Sequence, residues 1–241
     1  MKPKPLILSI LLILLLVASF LSPWTRPLWT FIDTHLFTFL NATLDGSPFS
    51  QHFWALLNHK RMDLVEDGIF LLFFIWGVSV TPKGQKLRRT FQFILISAVI
   101  ACVIGFINRG PPQTLFALRD SPSLVITPCV RITQEILWKG IKDATTASFP
   151  GDHATTLLLF GFLYTAYVPR KLAGAAWFYV ALRILPRLVV GAHWFSDIAV
   201  GSLSIALFFA ACFLYTPLGR WLTEMMEWGC LRVGKSAVKR G

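Results

Sequence analysis

Long apolar runs divided by short basic clusters constrain this chain more than any other feature. After Lys2 and Lys4, residues 6–21 carry no charge at all. Further runs of the same kind predict membrane helices at about 6–22, 65–80, 91–107, 154–168, 172–186 and 195–215. Charged residues make up 15% of the chain, against about a quarter in a soluble domain. Lipid rather than water is therefore the expected surroundings of much of its surface. The first run has the look of a signal peptide, but no small-x-small cleavage site follows it. Ser22, Pro23 and Trp24 come next, so it reads as an uncleaved first span.

The net charge of +11 has two readings, a nucleic-acid surface or a membrane topology signal. Its distribution selects the second. Lys83, Lys86, Arg88 and Arg89 stand between two apolar runs, Arg170 and Lys171 between two more, and Arg220, Arg232, Lys235, Lys239 and Arg240 in the tail. Each cluster marks a cytoplasmic loop or end, and six spans then put both termini inside. Residues 108–153 face outward. Residues 31–57, with Asp33, His35, Asn41, Asp45 and His52 among aromatics, are too polar to span and read as short interfacial helices on the outer face. The tail mixes Trp221, Leu222, Met225, Met226 and Trp228 with its charges, as a segment resting on an anionic leaflet does. The expected fold is all-α, a six-helix transmembrane bundle in one domain over residues 1–241. Nucleic acid is excluded as a partner. Cys102, Cys129, Cys212 and Cys230 show neither a CxxC pair nor a zinc spacing, and no cofactor or metal is implied. Asn41-Ala42-Thr43 matches a glycosylation sequon, a weak signal.

Ionisable residues collect where a membrane protein should avoid them, at the predicted outer ends of spans. In Arg187-Leu188-Val189-Val190-Gly191-Ala192-His193-Trp194-Phe195-Ser196-Asp197, Arg187 stands six positions before His193 and Asp197 four after it. A helix beginning near His193 puts His193 and Asp197 one turn apart on one face. The carboxylate can then orient the imidazole, which attacks as a nucleophile, while Arg187 clamps phosphate oxygens. The bland reading is an N-cap pair, and the nearby arginine argues against it.

Ser148-Phe149-Pro150-Gly151-Asp152-His153 suits a helix start, where free N–H groups and the helix dipole favour phosphate. His153 is then placed to protonate a leaving oxygen. Asp152 could equally be an ordinary helix-start carboxylate. Arg119, in Arg119-Asp120-Ser121-Pro122, could bind a further phosphate edge, with Arg109 upstream; solvated loop arginines are the competing reading. Lys139 and Lys142 could attract an anionic headgroup but are more simply surface charges.

With these residues in view, the chain resembles the type 2 phosphatidic acid phosphatase (PAP2) superfamily. That family carries an Arg-Pro first motif, a Pro-Ser-Gly-His second motif and a Ser-Arg-x5-His-x3-Asp third motif. The third is matched by Arg187, His193 and Asp197, with Pro186 in place of Ser. In the second, Gly151 and Asp152 replace Ser and Gly; in the first, Asp120-Ser121 is inserted before Pro122, and Pro112 stands where an upstream Lys is usual. Those departures, with Lys142-Asp143-Ala144 ahead of the second motif, resemble a bacterial inner-membrane subgroup. That subgroup moves the terminal phosphate of undecaprenyl pyrophosphate onto the 1-phosphate of lipid A.

The resemblance implies catalysis by His193, His153 and Asp197. It further implies phosphate binding by Arg119, Arg187, Gly151 and Ser148, a modulating role for Asp152, and a site facing the periplasm. Undecaprenyl pyrophosphate, lipid A and the bilayer are the implied partners. The alternative is a phosphatase of the same superfamily acting on undecaprenyl pyrophosphate or a phospholipid, with water as acceptor.

Overall fold

The computed structural model describes residues 2–109 and 119–238, and the regular elements among them are all helical. In chain order these are α1 (Pro3–Leu21), α2 (Arg26–Asn41), α3 (Pro48–Leu57), α4 (Met62–Ser79), α5 (Lys86–Arg109), α6 (Asp152–Thr165), α7 (Arg170–Val189), α8 (Leu203–Tyr215) and α9 (Leu218–Val238). A π turn, Asp197–Ser202, leads into α8, and single helical turns lie at Pro122–Val125 and Ile132–Glu135. Proline in the first turn starts α1, α2 and α3, where its fixed φ suits a helix and its missing N–H is not needed.

Four helical segments are long and apolar enough to cross a membrane: Pro3–Leu21, Lys83–Arg109, Arg170–Val189 and Asp197–Tyr215. On α1 the side chains of Leu8, Leu11, Leu14 and Leu15 all stand exposed, an apolar stripe no water-soluble surface tolerates. The chain is thus a membrane protein. At the centre of the bundle lies α6, which packs on α5, α7 and α8. It is apolar on every side, with Leu157, Leu159, Phe160, Leu163 and Tyr164 fully buried, as a helix enclosed by others must be. Phe160 stacks on Phe70 of α4 at 4.2 Å, and the Tyr164 hydroxyl donates to the Phe73 carbonyl at 2.7 Å.

One end of the bundle gathers the basic elements. The Lys2 N–H donates to the Tyr215 carbonyl at 2.9 Å, and Arg88 pairs with Glu227 of α9 at 3.6 Å. The candidate site occupies the opposite end, at the start of α4 and α6, the finish of α7 and the approach to α8.

Two local expectations differ from the structure. The fifth helix does not stop near Pro186. It runs through that proline to Val189 and ends at Gly191, whose φ of +75° is the left-handed cap that closes a helix C-terminus. Arg187 is therefore helical and buried. The sixth helix does not begin at His193 either. It begins at Phe195 and runs into the π turn from Asp197, so His193 lies in the preceding bend. The cause is the same cap: the Ala192 and His193 N–H groups both donate to the Arg187 carbonyl, turning the chain before the next helix starts. The Asn41 amide is buried and bonds Val130 on both sides, which closes that sequon to any sugar. The four cysteines are free thiols.

Candidate active site

His193 is fixed by a group far away in sequence. Its Nδ1 lies 2.8 Å from the carbonyl oxygen of Ser148. A carbonyl only accepts, so Nδ1 carries the proton and Nε2 keeps its lone pair. That is the tautomer a nucleophilic histidine needs. The Asp197 carboxylate, expected to hold the ring directly, stands 3.9 Å from Nδ1. It acts as a nearby negative charge more than as a hydrogen-bond partner. Its Oδ2 accepts the Trp194 N–H at 2.8 Å, and its Oδ1 accepts from Arg119 Nη1 at 2.5 Å.

Gly151 caps the N-terminus of α6 directly against this ring. A Cβ there would lie 3.2 Å from Ser202 Oγ and 3.4 Å from His193 Nδ1. The position has little room for a side chain, which gives a steric reason for glycine where the resemblance leads one to expect serine. The Ser202 hydroxyl ties the π turn to this cap, donating to the Gly151 carbonyl at 2.8 Å. A π turn next to a candidate site is a common way of re-aiming side chains.

Arg119 is not a loose loop residue. Its Nη2 pairs with Asp33 Oδ2 at 2.7 Å, and its Nη1 reaches Ser196 Oγ at 2.8 Å as well as Asp197. The guanidinium also lies 4.8 Å from the Trp194 ring centre. Asp33, on α2, further accepts the Ser196 N–H at 2.8 Å. Two carboxylates therefore share one arginine, and the arginine clamps Asp197 beside His193. Of its five N–H donors, those not used in these bonds stay available to a phosphate.

His153, in the first turn of α6, faces a second carboxylate. Its Nε2 lies 3.4 Å from Glu66 Oε2, and that oxygen also accepts from Arg183 Nε at 3.1 Å. Arg187 lies near, with Nη2 3.8 Å from Asp63, and Asp63 pairs in turn with Lys142 at 2.5 Å. Arg187, Arg183, His193 and Lys142 all lie within electrostatic reach of His153. Asp152 is exposed at the mouth, near enough to Arg187 to act on its charge, and its Oδ1 accepts the His153 N–H at 2.6 Å.

The structure thus brings His193, Asp197, Arg119, Ser148 and Gly151 into one cluster, with His153, Asp152 and Arg187 in a second beside it. Arg109 is exposed at the end of α5 and makes no contact with either cluster among the described residues. Pro112 lies outside them. Lys139 is exposed, and its backbone carbonyl contacts His59. No group of three or more potential metal ligands occurs among the described residues. Sequence reasoning missed Asp33, Glu66 and Arg183. For the first two the hint in the sequence was spacing, Asp33 four residues before Phe37 and Glu66 four before Phe70, while the burial of those faces comes from the fold. An acid on the buried face of a membrane-protein helix is a functional flag.

The bundle and its paired histidines define a class. The profile of the PAP2 superfamily matches residues 89–221, and the chain belongs to that superfamily. It is an enzyme of the PAP2 type, a lipid phosphatase or phosphotransferase. Among curated proteins it is similar to the lipid A 1-diphosphate synthase of Escherichia coli (strain K12), 31% identical over 218 residues, covering 89% of this chain and 88% of that protein. No solved structure matches the chain significantly.

Proposed function

We propose that this enzyme transfers the terminal phosphate of undecaprenyl pyrophosphate to the 1-phosphate of lipid A through a phosphohistidine, in the bacterial inner membrane. The observation that carries the chemistry is the His193 tautomer: a ring with Nδ1 bound to the Ser148 carbonyl has Nε2 free to attack. The similarity to the Escherichia coli enzyme supports the choice of acceptor. In membrane terms we place six spans, with α4 and α6 as the two shorter ones, α2 and α3 at the outer face and the whole chain as one domain. The basic turn, the N-terminus and α9 then meet on the cytoplasmic side, with the site facing the periplasm.

In the first step His193 Nε2 attacks the terminal phosphorus. The bond to the bridging oxygen breaks, and undecaprenyl phosphate leaves with a proton from His153. Arg187, the open donors of Arg119, the Ser148 hydroxyl and N–H groups near Gly151 hold the transferring oxygens. Asp197 balances the charge that grows on the imidazole. In the second step an oxygen of the lipid A 1-phosphate attacks phospho-His193, and the P–N bond breaks. Positioning and charge stabilisation carry most of such a reaction. A groove of about 420 Å³ between α4 and α5 runs from Asp67 and Thr156 along Phe70 and Phe74. It suits an isoprenoid chain lying in the membrane.

The test uses purified protein in detergent and undecaprenyl pyrophosphate labelled on its terminal phosphate, with and without lipid A. Label is expected on lipid A. Label released only as free phosphate, whether or not lipid A is present, makes the enzyme a lipid pyrophosphate phosphatase instead. Asp152, exposed at the mouth and acting on Arg187, is the residue placed to bias water against acceptor. Asp152→Gly is expected to change the ratio of free phosphate to labelled lipid A severalfold, roughly the effect of one charge worth about 1 kcal/mol. An unchanged ratio removes that role.

A further inference from the structure

We propose that Glu66, held by Arg183, is the positioning residue for His153, so that each histidine of the site works with its own carboxylate. The inference rests on the reading of His153 as the acid that protonates the leaving group. Both Glu66 and Arg183 are buried, at 4% exposure each, at the outer ends of α4 and α7. A buried carboxylate and guanidinium at this depth are costly and call for a use. Hydrophobic residues would pack α4 on α7 equally well.

The geometry indicates the use. Glu66 Oε2 sits between Arg183 Nε at 3.1 Å and His153 Nε2 at 3.4 Å. Arg183 is anchored in turn by Nη1 donating to the Leu57 carbonyl at 3.1 Å, where α3 ends. The carboxylate therefore cannot swing away. Its partner nitrogen on His153 is shielded from solvent and has no fully formed hydrogen bond. A shift of a few tenths of an ångström closes that contact once the ring is protonated. With Nε2 turned to the carboxylate, the proton for the leaving oxygen comes from Nδ1.

The charges around His153 give the carboxylate its importance. Burial first, and then the charges of Arg187, Arg183 and Lys142, disfavour a positive imidazole here. Arg187 is needed for phosphate, yet it works against the acid that serves the leaving group. Glu66, tied to Arg183, is the carboxylate that contacts the ring. Residue 66 precedes the segment matched by the superfamily profile, which begins at residue 89. The partner for His153 thus comes from an element outside that segment.

Glu66→Gln keeps the shape and removes the charge. Turnover of phosphatidic acid, whose leaving group departs as an alkoxide and needs a proton, is expected to fall about 100-fold in kcat, with KM nearly unchanged, the lower end of what general acid catalysis contributes. Turnover of p-nitrophenyl phosphate and of undecaprenyl pyrophosphate, whose leaving groups are far weaker bases (second phosphate pKa about 6), should fall roughly tenfold less. His153→Ala should show the same split, and the double variant should be no slower than His153→Ala alone. An equal loss on every substrate, additive losses in the double variant, or an unaffected Glu66→Gln enzyme each overturns the proposal. Should glutamine weaken the fold, Glu66→Asp keeps the charge and draws it back by one methylene, and the same split between substrates is expected at smaller size. Parent enzyme that does not turn over undecaprenyl pyrophosphate defeats the underlying reading instead, and the non-additivity of the two variants on its actual lipid phosphate substrate then decides the role of Glu66.

Discussion

His193→Ala protein, incubated with donor labelled on its terminal phosphate, is expected to retain no label and to lose turnover by about 10⁴-fold or more, the scale seen when a covalent nucleophile is removed. The bond from Nδ1 to the Ser148 carbonyl leaves one nitrogen to attack, and Nε2 has no substitute in an alanine. Expression and melting temperature should change little. The side chain is 9% exposed, and its one direct hydrogen bond is to a backbone carbonyl. Acid-labile, base-stable label that disappears with His193 establishes the phosphohistidine. Label that persists in the variant means that another residue attacks, with His153 the next to test.

Arg119→Ala should injure both stability and activity, which separates it from a residue that only grips substrate. Its guanidinium joins Asp33, 1% exposed, to Asp197, fully buried. Removing it leaves two carboxylates facing each other with no cation between them, a defect that costs about 3–5 kcal/mol for a buried pair. A clear fall in melting temperature is expected in detergent. Adding Asp33→Asn removes one of the two charges and should restore part of that loss, though not the activity, because Asp197 remains unclamped beside His193. An Arg119→Ala protein as stable as the parent would mean that the arginine serves the substrate alone.

The two predictions draw on different kinds of information. Arg187, His193 and Asp197 fall within eleven consecutive residues, and local spacing was enough to single them out. What each of them touches is not encoded in that spacing. Asp197, judged from its four-residue spacing, looked like the direct partner of the His193 ring. The Gly191 cap and the π turn move it to 3.9 Å, and a carbonyl contributed by the loop before α6 takes the closer place. Similarly, Arg119 read as a phosphate-binding loop arginine, and its carboxylate partners Asp33 and Asp197 lie 86 and 78 positions away.

What the sequence by itself determined is what its local pattern encodes: a helical membrane protein, basic at one end, with histidines near the predicted outer ends of two helices. Hydropathy and charge act residue by residue against a uniform lipid and water background, so a window of about twenty residues is enough to read them. The tertiary structure alone decided the partnerships. Ser148 meets His193 across 45 positions, Asp33 meets Arg119 across 86, and Glu66 meets Arg183 across 117. A hydrogen bond forms between neighbours in space and leaves no period in the chain. Asp33 and Glu66 therefore looked like ordinary acids of polar helix segments until packing buried them against the residues they hold.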